Sequence, residues 1–282
     1  MTLPRVAVVI PCFDDGATLR EAVDSLTGEE PHELVIVDDG STQPETLAAF
    51  EELRQGGVRI VHRPNGGLSA ARMTGVEATS APYVLPLDAD DRLAAGALAR
   101  LADALDRHPE AALAWGDVET FGDVELRVAG ADELDPWRLT YVNEVPVCSL
   151  IRRDRLLSAG GWQIAGYEDW DLWLAFAERG YRGVHVPGVA LHYRRHGWRM
   201  AGNVLDDYDR KIEELRARHR RLWVERRTSR RRSTAPARVR LLYPLIDAVP
   251  FVSAYDKHRL YRLVGRPHEV LPGRRKRLAA TR

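Results

Sequence analysis

The sequence predicts an α/β fold: a mostly parallel central sheet flanked by helices, followed by a helical and basic C-terminal appendage. Three observations predict it. Short β-branched runs alternate with segments of helical period over the first hundred residues, the pattern of βαβ units. Those runs are apolar throughout, as expected of strands covered by helices on both faces. Charge is divided along the chain. Residues 1–225 carry 25 Lys and Arg against 38 Asp and Glu, and residues 226–282 carry 16 against 3, so a net charge of zero hides an acidic body and a basic tail.

The elements follow in order. Residues 5–11 form a β-branched run stopped by Pro11, hence a buried strand. The turn Asp14-Asp15-Gly16 leads into a helix with Leu19, Ala22, Val23 and Leu26 at helical spacing. Residues 33–39 are a second strand, 44–54 a helix, and 57–62 a third strand. Asn65-Gly66-Gly67 turns into a third helix. Residues 83–87 are a fourth strand and 94–107 a fourth helix. Beyond a strand at 111–118 the pattern loosens into a meander through residue 137. A strand at 145–151, a short helix at 153–159 and a glycine-flanked loop at 160–166 follow. Residues 167–180 read as a helix with acids in its first turn and glycine at its end. Strands at 181–186 and 189–193 and a long charged helix at 204–225 complete the body.

Composition excludes several classes. Apolar residues make up 45% and charged residues 29% of 282, ordinary for a soluble globular protein. The two cysteines, Cys12 and Cys148, are too few for a disulfide framework and match no zinc spacing. No signal peptide and no run of ~20 apolar residues is present, so the expected setting is a reducing cytoplasm. Neither a Gly-x-x-x-x-Gly-Lys-Ser/Thr loop nor a Gly-x-Gly-x-x-Gly turn follows the first strand, which disfavours P-loop nucleotidases and dehydrogenases.

The chemistry concentrates where residues 83–87 end in Asp88-Ala89-Asp90-Asp91. Ligands of open α/β sheets bind beyond the carboxyl ends of the strands. Two other acidic strand ends, Asp14-Asp15 and Asp38-Asp39, converge there on this topology. Crowded carboxylates repel unless they share a proton or hold a cation. An Asp-x-Asp spacing sends two side chains the same way from an extended segment. A hard ion, Mg²⁺ or Mn²⁺, suits such oxygen ligands and also sits on substrate phosphates.

Four motifs resemble one family. Val8-Val-Ile-Pro-Cys-Phe-Asp14, Val35-Ile-Val-Asp-Asp-Gly-Ser-Thr42, Asn65-Gly-Gly-Leu-Ser-Ala-Ala-Arg72 and Leu87-Asp-Ala-Asp-Asp91 are similar, in order and spacing, to the inverting family 2 glycosyltransferases of the GT-A fold. The resemblance covers about residues 3–195. It implies a Rossmann-like GT-A domain at 1–203, with a nucleotide-sugar and metal half (1–118) and an acceptor and catalytic-base half (119–203), before the extension at 204–282.

The resemblance also implies roles. Asp90 would be the direct metal ligand, with Asp88 nearer the donor ribose or as an alternative ligand. Asp39 would read the nucleobase imide, Pro11, Phe13 and Asp14 would contact the nucleoside, and Arg72 would lie near the nucleotide. In Tyr167-Glu168-Asp169-Trp170, Asp169 would be the general base and Glu168 its support. His192 would complete the metal shell, with His196 as the rival, and Arg194 and Arg195 would neutralise the diphosphate. Trp162 and Trp170 would contact the acceptor, and Trp173 would be core.

The implied activity is inverting transfer from a nucleotide-sugar, expected to be a UDP-sugar, to a glycan, lipid-linked or small-molecule acceptor. The alternatives are a sugar nucleotidyltransferase, whose glycine-rich basic signature is missing from residues 11–18, and a non-catalytic nucleotide-sugar-binding module, which would lose the metal or base carboxylates. The basic segment 226–282 suggests peripheral contact with the inner face of a membrane, docking on the acidic body, or homodimer pairing. No nucleic-acid recognition motif accompanies the charge.

Overall fold

The computed structural model of the chain describes residues 3–195 and 201–265. Its elements begin with β1 (Val6–Cys12), α1 (Gly16–Asp24), β2 (His32–Asp38), α2 (Pro44–Gln55), β3 (Arg59–His62), α3 (Leu68–Glu77) and β4 (Tyr83–Pro86). Next come β5 (Arg92–Leu93), α4 (Ala97–Arg107), β6 (Ala111–Gly122), β7 (Arg127–Val128), α5 (Pro136–Leu139), β8 (Leu150–Arg152) and α6 (Arg153–Ser158). The chain continues with α7 (Glu168–Glu178), β9 (Arg182–Arg195), α8 (Ala201–Arg218), α9 (Arg220–Val224), α10 (Arg226–Arg232), α11 (Ala237–Asp247) and α12 (Ala254–Gly265).

Among the described residues one sheet runs β3-β2-β1-β4-β8-β6-β9-β5, with β7 paired to β6. Its first four strands are parallel, as the apolar runs predict. All seven residues of β1 are buried, because helices cover both faces. Pro11 is tolerated there because it lies beyond the last β1–β4 pair, Val9 with Pro86. The second half is mixed: β8 is antiparallel to β4 and to β6, whereas β9 is parallel to β6. The sheet is thus continuous across both halves of the body.

Two apolar clusters fill the two faces of the sheet. One is built on Ile10, Leu85, Leu98 and Leu101, the other on Val9, Trp115, Trp173 and Phe176. A third joins the C-terminal helices to the body through Trp137, Tyr141, Val239, Tyr243 and Tyr261. The last helices therefore dock on the α5 region. Cys12 and Cys148 are buried free thiols.

Three segments depart from the sequence expectation. The strand expected at 145–151 shrinks to β8, because Pro146 opens a turn closed by Ser149 N donating to Val147 O at 2.7 Å. The strands expected at 181–186 and 189–193 are one strand, β9, which passes Pro187 and Gly188 through register shifts against β6. The helix expected at 204–225 breaks at His219, whose imidazole is buried between Asp171 (2.9 Å) and Glu178 (3.0 Å). That tertiary anchor overrides helical propensity.

Candidate active site

The loops after β1 and β2 are fastened by their own acids. Asp14 sits at φ 57°, and its carboxylate accepts from the backbone amides of Thr42 (2.8 Å) and Gln43 (2.9 Å). Asp39 is 3% exposed and accepts from the amides of Gly66 (3.0 Å) and Gly67 (2.8 Å). Gly40 makes this possible: at φ +82° a Cβ would stand 2.8 Å from the Asn65 nitrogen. Asp38 serves the local turn instead, accepting from Ser41 N at 2.7 Å and lying 2.9 Å from His62 Nδ1.

These loops wall a cleft of about 1040 Å³ at the carboxyl ends of the strands. Pro11, Phe13, Asp14, Asp39, Asp88, Asp90, Arg194 and Arg195 all line it, so most of the expected donor-side residues come together. Phe13 is half exposed in this lining. Asn65, Gln43 and Tyr193 also line it. The glycine turn that begins at Asn65 was a visible signal for one of these, but Tyr193 follows only from the register of β9.

Asp91 plays another part from its neighbours. Buried at the start of the turn into β5, it accepts from Arg194 N at 2.8 Å and ties that turn to the end of β9. Its second oxygen has no hydrogen-bond partner. Burial, and then the charge of Asp88 and Asp90, pushes its pKa up to about 9. The Arg194 guanidinium lies over the Phe121 ring and donates to Asp90 O at 2.7 Å and to Glu21.

The opposite wall is reached through Arg72, which is 1% exposed on α3. Its Nη2 donates to Asp88 Oδ1 at 2.7 Å and its Nη1 to Glu168 Oε1 at 3.2 Å. Burial opposes its charge, but Asp88, Glu168 and Asp169 outweigh that and raise its pKa. Asp169, half-buried in the first turn of α7, accepts from Asn143 Nδ2 and from Trp170 N, both at 2.8 Å. Burial and then the Glu168 charge push its pKa up to about 6, into the working range of a general base. Sequence reasoning missed Asn143, which lies 26 positions from Asp169 in a turn without periodic signal. Glu168 and Asp169 stand beside the cleft behind Arg72 rather than in its lining.

Three residues expected at the site lie outside the cleft lining. His192 is absent from the cleft lining, and its Nδ1 lies 3.2 Å from Glu119. Trp170 is 2% exposed, donates its Nε1 to Leu139 O at 2.8 Å, and faces a separate cavity of about 220 Å³ against the C-terminal helices. Trp162 is buried beneath Arg72, whose guanidinium carbon lies 5.7 Å from the ring centroid. Trp173 is core, as expected. His196 and residues 266–282 lie outside the described residues.

A divalent cation fits this chemistry as a shared ligand. Among the described residues no group of three His, Cys, Asp or Glu side chains could hold an ion. The two cleft carboxylates, Asp88 and Asp90, form a hard oxygen donor pair of the kind that shares Mg²⁺ or Mn²⁺ with substrate phosphates.

The profile described as "Glycosyl transferase family 2" matches residues 7–155. The chain belongs to glycosyltransferase family 2. This family 2 glycosyltransferase is 28% identical over 109 residues to the uncharacterized glycosyltransferase EpsJ of Bacillus subtilis, covering 38% of this chain and 32% of EpsJ. It is 28% identical over 169 residues to the uncharacterized glycosyltransferase Rv0539 of Mycobacterium tuberculosis, covering 55% and 71% of the two chains. The chain spans 32%, 20% and 27% of the first three curated relatives it matches. Its fold is similar to that of S. aureus TarS 1–349 in complex with UDP-GlcNAc (TM-score 0.62, 17% identity, 93% of this chain and 90% of TarS). It is also similar to the mannosyltransferase PcManGT of Pyrobaculum calidifontis in complex with GDP-Man and Mn²⁺ (TM-score 0.58, 17% identity, 96% and 77% covered). The fold is thus GT-A, with a helical C-terminal region. Among the described residues no helix is long and apolar enough to cross a membrane.

Proposed function

We propose that this glycosyltransferase is inverting and moves a sugar from a UDP-sugar to an acceptor hydroxyl, with Asp169 as general base. The observation that carries this reading is the Arg72 bridge, which joins the donor-side Asp88 to the Glu168-Asp169 pair. Asp39, which also pairs with Arg63 Nε at 3.4 Å, would accept from the nucleobase imide with its remaining lone pairs, while Pro11 and Phe13 pack on the nucleoside. Arg194 and Arg195 would face the diphosphate, with Asp90, assisted by Asp88, holding the divalent ion. When bound, Mn²⁺ or Mg²⁺ supplies charge stabilisation to the departing diphosphate.

Asp169 takes the acceptor proton as the acceptor oxygen attacks the anomeric carbon, and the bond from that carbon to the diphosphate oxygen breaks on the opposite face. Asn143 and the Trp170 amide orient the carboxylate, and Glu168 keeps it basic. The test is turnover of a panel of UDP-, dTDP- and GDP-sugars with Mn²⁺, read as nucleoside diphosphate release with glycan, lipid-linked and small hydroxyl acceptors. Consumption of a UDP-sugar is the expected result. Absence of both turnover and thermal shift with every donor overturns the enzymatic reading.

A further inference from the structure

We propose that helices α11 and α12 form a docking surface for an anionic lipid bilayer, independent of the cleft. Helix α11 is apolar on two opposite faces. Val239 and Tyr243, both fully buried and four residues apart, pack with Ile246 against Trp137 and Tyr141. Leu241 and Leu245, also four apart, are 58% and 57% exposed on the other face, and Val249 continues the row. The following loop presents Phe251 at 95% exposure, and α12 adds Leu263 at 70%. A helix on a water-facing surface normally turns polar residues outward. Here the outward row is leucine, ending in phenylalanine.

The charge around this row selects the occupant. Residues 226–265 hold 10 Lys and Arg against 2 Asp and Glu. One of those acids, Asp247, is already taken by Arg226 at 2.8 Å. Arg231, Arg232, Arg238, Arg259 and Arg262 are exposed. Basic side chains beside protruding Leu and Phe are the composition of helices that lie in a bilayer interface, with the apolar row in the acyl boundary and the arginines on anionic headgroups. Two-fold pairing of this face with its own copy would bring two such positive surfaces together, so charge complementarity favours a lipid surface over that pairing.

The experiment is flotation of the full-length protein with phosphatidylcholine vesicles, with and without phosphatidylglycerol, in low and high salt and without donor. Wild type is expected to float with the anionic vesicles, and less so in high salt. Combined Leu241→Glu, Leu245→Glu and Phe251→Glu, all at exposed positions, should lower partitioning by about tenfold or more. Combined Arg231→Gln, Arg232→Gln and Arg238→Gln should weaken binding and flatten its salt dependence. Wild type that fails to float overturns the proposal, as does equal flotation of all variants. A dimer in solution abolished by the glutamate variant, without flotation, overturns it in favour of self-association. Because no donor is present, the outcome is independent of whether the chain transfers sugar.

Discussion

Arg72 and Glu168, separated by 96 positions in the sequence, meet through a 3.2 Å hydrogen bond that brings the first turn of α7 against α3. Arg72→Met keeps the length of the side chain but leaves Asp88 and Glu168 without their shared cation. Removing one partner of a buried pair typically costs about 3–5 kcal/mol. Denaturant unfolding should show a loss of that order, and donor titration should show weaker binding. Arg72→Lys should recover much of the stability and little of the binding, because an ammonium cannot fork to two carboxylates as a guanidinium does. Equal stability of Arg72→Met and wild type would remove Arg72 as the link between the two walls.

Asp169→Asn should lower kcat by ~10²–10⁴-fold while leaving donor affinity nearly unchanged. Because the base works as the carboxylate, kcat of wild type should rise with pH through about 6 and level off above it. The matching stability effect has the opposite slope. A carboxyl whose folded pKa lies above its unfolded value holds its proton longer when folded, so its contribution falls as pH rises between those values. Turnover by Asp169→Asn above about a tenth of wild type would move the base to another residue.

His219 gives a second pH signature, located at the hinge between α8 and α9. Burial alone would lower its pKa, but hydrogen bonds to Asp171 and Glu178 override that and raise it. The stabilisation is full while the unfolded imidazole is also protonated and is lost as pH rises through the raised folded value. Thermal melts from pH 6 upward should therefore show wild type losing Tm across that window. His219→Gln should start lower and show a flatter profile. Parallel profiles would mean that the imidazole does not hold the C-terminal helices through its charge.

Much of the cleft lining was legible in the sequence because its physics is local. Residues 6–10 are β-branched and apolar, and strands buried on both faces look like that. Parallel strands then deliver their end residues to one edge, so Asp14, Asp39, Asp88 and Asp90 had to meet. What was illegible depends on side-chain facing and on packing between distant segments. The end of β9 is one case: Tyr193, Arg194 and Arg195 line the cleft, whereas His192 sits against Glu119. Trp170 packs against His258, which in turn packs against Tyr208, and both come from helices far along the chain. Arg72 could be identified from its motif, but its attachment to Glu168 could not.

The clamps made by Asp14 and Asp39 have a thermodynamic meaning for the ligand. Both carboxylates hold backbone amides of neighbouring loops, so this wall of the cleft is set during folding. A donor entering the cleft meets a shaped surface, and the disorder lost on binding is chiefly that of its own diphosphate and sugar torsions. Loosening either clamp would transfer part of that entropy loss to the protein, weakening capture of the donor before any bond to the sugar is touched.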